Sequence, residues 1–249
     1  MKKFASFFLA MVMLMGIIPM AYVQGAESAA VSIDVQSPSA SAENPLVVDL
    51  SQEEYVDWAH FGHTAVDSVN RKSGGESIIG TPSAIQGNGM GVASEEDVKN
   101  YRMEFHWSDG TPTPSAASRY FVKNGVGQTG IGGTGIRLNF SVPAGQWDLV
   151  LYASTYNSTA NVEVRDQSGA LLGESSLNEG GESWSHLPKV ITVSYESQSA
   201  QTVSVGIVAT GDYSDWPGIA LAAAAVKAGQ PRSYALSTTS NKGGSVTGD

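Results

Sequence analysis

The sequence predicts an all-β fold, an antiparallel sandwich or barrel. Three observations carry the prediction. At least eight short segments have apolar residues at every second position or in short unbroken runs. Turns rich in Gly and Asn separate many of them, and the chain contains 28 Gly. Sustained helical periodicity is lacking, and short strands with few helices pack as a sandwich or a barrel. A chain of 249 residues suits one such domain.

The chain opens on Lys2 and Lys3, followed by an uncharged apolar run from Phe4 to Ile18 and small residues around Val23-Gln24-Gly25. This reads as a secretory signal peptide over residues 1–25. The run is shorter than the ~20 residues that span a bilayer; the competing reading is an uncleaved anchor. No other segment is apolar enough to span a membrane. Residues 26–45 are rich in Ala and Ser and read as a linker, with the ordered module over residues 46–228.

Within the module the first strand is Leu46–Leu50. Ser51-Gln-Glu-Glu54 then forms a capping-box pattern before Tyr55–Phe61, so a short helix ending at Gly62 competes with a bent strand. Context favours the strand, on which Trp58 and His60 share a face. Glu76–Ile79 and Tyr101–Trp107 follow; Tyr101, Met103, Phe105 and Trp107 share a face that reads as core. Ile136–Val142 shows the clearest alternation, with Ile136, Leu138, Phe140 and Val142 on one side and Arg137, Asn139 and Ser141 on the other. Pro143-Ala144-Gly145 supplies a turn into Trp147–Ala153, so the two segments read as a hairpin, with Trp147 in the core-facing row. Asn161–Arg165, Lys189–Tyr195, Thr202–Val208 and Gly218–Val226 complete the strands. The Gly-dense run 125–135 precedes a strand, where a dinucleotide loop would follow one, and so reads as a turn.

The residue inventory excludes several chemistries. With no Cys there is no disulfide, thiol nucleophile or Cys-ligated zinc. A net charge of −10 argues against a nucleic-acid partner. Neither Gly-x-Ser-x-Gly nor a phosphate-binding loop motif occurs. His60 and His63 are three apart, but the zinc-protease pattern is absent. The acidic residues show no spacing that selects a glycosidase pair. The tryptophans are more informative, because an indole face stacks on sugar rings. Trp184 and Trp216 lie in polar, loop-like segments, and each reads either as a binding aromatic or as a cap on the core. Asp109, in an Asp-Gly turn, and Asp212 with Asp215 are candidate calcium ligands; turn formation is the competing reading.

Asp57-Trp-Ala-His-Phe-Gly62 with Asn70-Arg-Lys72, then Trp107-Ser-Asp-Gly-Thr-Pro-Thr113, Val142-Pro-Ala144, Leu149-Val-Leu-Tyr152 and Ile219–Val226 occur in one order. That order resembles an accessory jelly-roll module, galactose-binding-like, of secreted bacterial polysaccharide-active and cell-surface proteins. The resemblance implies glycan binding or the holding of neighbouring domains. It marks Trp58, His60 and the Trp107–Gly110 turn, while Phe61 stands where a Trp is expected. Ser233–Asp249 resembles the opening of an internalin-type B repeat, which implies a longer modular parent.

The reading is therefore a secreted, extracellular or surface-associated, non-catalytic module that binds a polysaccharide or cell-wall glycan. Its expected ligand-binding residues are Trp58, His60, Trp184, Asp215 and Trp216, with structural calcium at Asp109 and Asp212. The alternative is a spacer or cell-surface interaction module without a glycan ligand; a glycoside hydrolase ranks below both.

Overall fold

In a computed structural model, the described residues are 30–87, 89–124, 132–177, 186–212 and 217–229. They form β1 (Ala30–Gln36), β2 (Leu46–Asp49), β3 (Tyr55–Phe61), β4 (Val69–Lys72), β5 (Ser83–Ile85), β6 (Met90–Val92), α1 (Glu95–Asn100), β7 (Met103–Trp107), β8 (Gly110–Thr111), β9 (Ala116–Ser118) and β10 (Val122–Asn124). The longer elements follow: β11 (Gly135–Val142), β12 (Gly145–Tyr156), β13 (Ser158–Arg165), β14 (Leu171–Ser176), β15 (Leu187–Ser197), β16 (Gln201–Asp212) and β17 (Gly218–Ala228).

The all-β fold is as the alternation predicts. The layers are three rather than two. A large central sheet runs β1-β15-β12-β17-β3-β4-β8, with β10 and β6 joined through β17. A five-stranded sheet, β14-β13-β16-β11-β5, covers one of its faces, and a small sheet, β2-β7-β9, covers part of the other. All pairs are antiparallel except β2–β7.

Two cores result. Leu138, Phe140, Val162, Val205, Leu149, Leu151 and Ile191 meet between the large and five-stranded sheets. Trp58, Tyr101, Phe105, Trp107, Tyr152 and Ala223 meet on the opposite face of the large sheet. The central strand β17 is therefore buried on both sides, which explains its unbroken apolar run. Alternate residues of β12 serve different cores: Leu149 and Leu151 face one, Val150 and Tyr152 the other. Burial of each such side chain contributes about 1.5–3 kcal/mol.

Three sequence expectations are corrected. Ile136–Val142 and Trp147–Ala153 are not a hairpin. β11 pairs with β16 and β5, whereas β12 pairs with β15 and β17, so Pro143-Ala144 carries the chain from one sheet to the other. Their apolar rows face each other across the core; alternation names a buried face but not a strand partner. The Ala/Ser-rich linker contains β1, which pairs with β15 from Ala30↔Glu196 to Gln36↔Val190. There Val31, Ile33 and Val35 alternate onto the main core. Glu76–Ile79 makes only an isolated bridge, Ile79↔Phe140. The Ser51 capping-box pattern starts no helix, and Tyr55–Phe61 is the strand that context favours. The capping box that does form is Ser94 with Asp97, at the start of α1.

Candidate functional site

The five-stranded sheet buries one face and presents the other to solvent. On β11, Arg137 and Asn139 point away from the core; on β16, Thr202, Ser204, Gly206 and Val208 do; on β13, Glu163 and Arg165 do. The register puts them in rows. Arg137 lies opposite Gly206, which lies opposite Glu163; Asn139 lies opposite Ser204, which lies opposite Arg165. Gln86 and Gly133 border this face at one side, and Asp166, Gln167 and Gly169 at the other. The open groove has a volume of about 720 Å³. That is the size of a small-ligand site, usually ~300–1,000 Å³.

Gly206, between Arg137 and Glu163, is covered by the side chains of Ile85 and Val208, which line the groove. A β-carbon on Gly206 would stand 3.2 Å from Ile85 Cδ1 and 3.6 Å from Val208 Cγ2. Any larger side chain there would have to displace them. The groove acids are engaged locally. Glu163 Oε2 accepts from Arg165 Nε at 3.0 Å and Nη2 at 2.8 Å, while Arg165 Nη1 donates to the Gly169 carbonyl at 3.0 Å. Asp166 Oδ1 accepts from Ser168 Oγ, Ser168 N and Ala170 N at 2.7–2.9 Å. These donors, the Ser168 hydroxyl foremost, hold its carboxyl below the usual range. Ser204 Oγ is buried at the floor without a hydrogen-bond partner. The groove thus offers guanidinium, amide and hydroxyl groups on a rigid sheet, with no aromatic ring among the described residues that line it.

Those residues singled out from sequence that are described fall elsewhere. Trp58 is fully buried, and its Nε1 donates to Asp109 Oδ1 at 3.0 Å. His60 is fully buried against Phe105 and Trp107, at ring-centroid distances of 5.5 and 5.1 Å. Neither ring keeps a face open to a ligand. Burial, then the nearby His63, push the His60 imidazole down to about 3, so it is neutral. Asp109 does not stand among acidic ligands. Its Oδ1 also accepts from Ser51 Oγ at 3.0 Å, and its Oδ2 faces Lys72 Nζ at 3.2 Å. Donors surround this carboxylate, which fits a clasp between β3, β4 and the β7–β8 turn. Among the described residues no cluster of three or more His, Asp and Glu could hold a metal. Trp184, Asp215, Trp216 and the side chain of Asp212 lie outside the described residues. The backbone of Asp212 ends β16, opposite Ser158.

A second polar cluster joins α1 to the large sheet. Ser154 Oγ lies 3.2 Å from His186 Nδ1, and His186 Nε2 lies 3.9 Å from Asp97 Oδ1. Asp97 also pairs with Lys123 and closes the Ser94 cap. The residue order is that of a hydrolytic relay. Ser154, however, is fully buried, and the His186 ring is held between Tyr156 at 4.9 Å and Phe121 at 4.7 Å. Its hydroxyl faces protein, and the cluster is a clamp. Burial penalises the Asp97 charge, but His186, Lys123 and Ser94 outweigh it and hold the carboxyl well below its ordinary range.

The groove residues Arg137 and Asn139 are legible in the sequence as outward-facing. Which strands stand side by side was not, and adjacency is what makes them one site.

No family model matches the chain, and no curated protein matches it in sequence. Solved structures resemble it distantly. A cleaved adhesin domain of Lys-gingipain from Porphyromonas gingivalis is 11% identical at a TM-score of 0.32, over 47% of this chain and 81% of that one. A carbohydrate-binding module of Cellvibrio mixtus lichenase 5A, in complex with cellotriose, is 15% identical at 0.29, over 48% and 83%. A Stig cyclase from Fischerella sp. TAU is 11% identical at 0.36, over 81% and 100%. At scores this low the likeness carries no argument about activity, ligand or partner.

Proposed function

We propose that this chain is a secreted, non-catalytic carbohydrate-binding module, and that the groove on the five-stranded sheet is its glycan site. The observation that supports the reading is the solvent-facing polar groove of about 720 Å³, floored by β11, β16 and β13. Sugars are recognised by planar polar side chains that donate to and accept from hydroxyl groups. Arg137 can donate, and Asn139 can both donate and accept, from strand positions whose backbone is already ordered. The amino-terminal signal pattern and the absence of Cys suit an exported domain that folds without disulfides.

Retention of the full chain on a panel of soluble and insoluble polysaccharides tests the reading. At least one glycan should be retained, and the double variant Asn139→Ala/Thr202→Val should lose most of that retention while melting as the parent does. If no polysaccharide is held, or if the double variant binds unchanged, the groove is not a glycan site. Trp184→Ala and Trp216→Ala, run beside it, separate the groove from the loop tryptophans that the sequence singles out.

A further inference from the structure

We infer that the groove selects an acidic glycan, one whose sugars carry carboxylate or sulfate, and that Arg137 is the residue that reads the anion. The inference rests on the glycan-binding reading above and names the chemistry of its ligand.

The observation behind it is an arginine without a partner. Of the five described arginines, four are engaged. Arg71 donates to the Ile79 and Gly80 carbonyls, and Arg102 to the Ala40 carbonyl. Arg119 pairs with Glu104, and Arg165 with Glu163. Arg137 makes neither a side-chain hydrogen bond nor an ion pair among the described residues. It is nonetheless half-buried, in the middle of a sheet, where its charge is partly desolvated. A partly desolvated guanidinium with no protein partner pairs more strongly with an anion than a fully hydrated one does. Its cross-strand neighbours are small. Ser83 stands opposite on β5, and the side-chain-free Gly206 opposite on β16.

The local charges point the same way. The two acids of the groove do not compete for Arg137, because Glu163 is held by Arg165 and Asp166 by the Ser168 and Ala170 donors. The guanidinium fork matches a planar carboxylate or a sulfate through two parallel N–H···O bonds. Asn139, one row along the strands, and Thr202, a row further, lie where neighbouring hydroxyl groups of the same chain of sugars would run. The net charge of −10 opposes an anionic ligand only weakly, since charges more than ~8 Å away are screened at physiological salt.

The test uses the full chain and two matched pairs of probes: polygalacturonate against its methyl ester, and dextran sulfate against dextran. Affinity is measured by calorimetry at low and high salt. At least one acidic probe should bind roughly tenfold or more tightly than its uncharged partner, an advantage that falls with added salt. In Arg137→Gln the acid-to-neutral ratio should drop to about one, and Arg137→Lys, which keeps the charge and loses the fork, should fall between. Preference for polygalacturonate identifies a carboxylate reader, and preference for dextran sulfate a sulfate reader. Equal affinity for charged and uncharged partners, or an acid preference that survives Arg137→Gln, overturns the inference while the glycan site stands. No binding of these probes or of the wider panel overturns both. Arg137 touches no other side chain by hydrogen bond, so its variants should fold; a thermal melt confirms it.

Discussion

Removing the Asp109 carboxylate separates two accounts of the same residue, a calcium ligand and a structural clasp. Asp109→Ala leaves the fully buried indole of Trp58 with an N–H and no acceptor. An unsatisfied buried donor costs about 1–3 kcal/mol. Ser51 loses an acceptor as well, though its Oγ still receives the Ser108 N–H at 2.7 Å. The Lys72 pair adds little: the two side chains are 21% and 33% exposed, and such pairs contribute about 0.5 kcal/mol or less. Asp109→Ala should therefore be about 3 kcal/mol less stable than the parent. For a domain of this size that is a fall of about 6–12 °C in Tm. Asp109→Asn keeps an acceptor oxygen and should cost about 1 kcal/mol. Urea unfolding followed by Trp fluorescence, with calcium and with EDTA, gives all three values. If Asp109→Ala costs well under 1 kcal/mol, the clasp is wrong. If EDTA destabilises the parent but not Asp109→Ala, the carboxylate is a metal ligand and the sequence reading of Asp109 is restored.

Three further outcomes are expected. Gly206→Leu should push Ile85 and Val208 into the groove they line and weaken glycan retention at least tenfold. Its stability should stay within about 1 kcal/mol of the parent, since Ile85 Cδ1 is a side-chain tip that can move and glycine is itself unfavourable in a strand; unchanged retention would place the ligand elsewhere. Between pH 6.5 and about 3 the unfolded chain protonates His60 and the folded one does not, so stability falls as pH falls, by about 1.4 kcal/mol per pH unit. Stability curves of His60→Gln should show a shallower slope over that window, and an identical slope would mean His60 is not buried and neutral. Deleting residues 1–37 removes β1, exposes the β15 edge and takes away the Ser37 hydroxyl that Lys189 Nζ reaches at 2.8 Å. Losing the partial burial of Val31, Ile33 and Val35 should cost about 3 kcal/mol in chemical unfolding, whereas a true linker would cost nothing.

What the sequence determined follows from local physics. Alternation along Ile136–Val142 fixed which side chains are buried and which, Arg137 and Asn139 among them, face out. The period of two is a property of the strand itself. Composition likewise fixed the absence of disulfide and thiol chemistry. Tertiary structure decided what depends on neighbours. Alternation did not say that β11 and β12 part into different sheets, because both fill the same core from opposite sides. It did not say that Trp58 turns into a second core, because that core exists only where the β2-β7-β9 sheet covers the far face of the large one. Nor could it bring Arg137, Gly206 and Glu163 into one row. These residues come from three strands spread over seventy positions of chain, and only the pairing of those strands makes them a site.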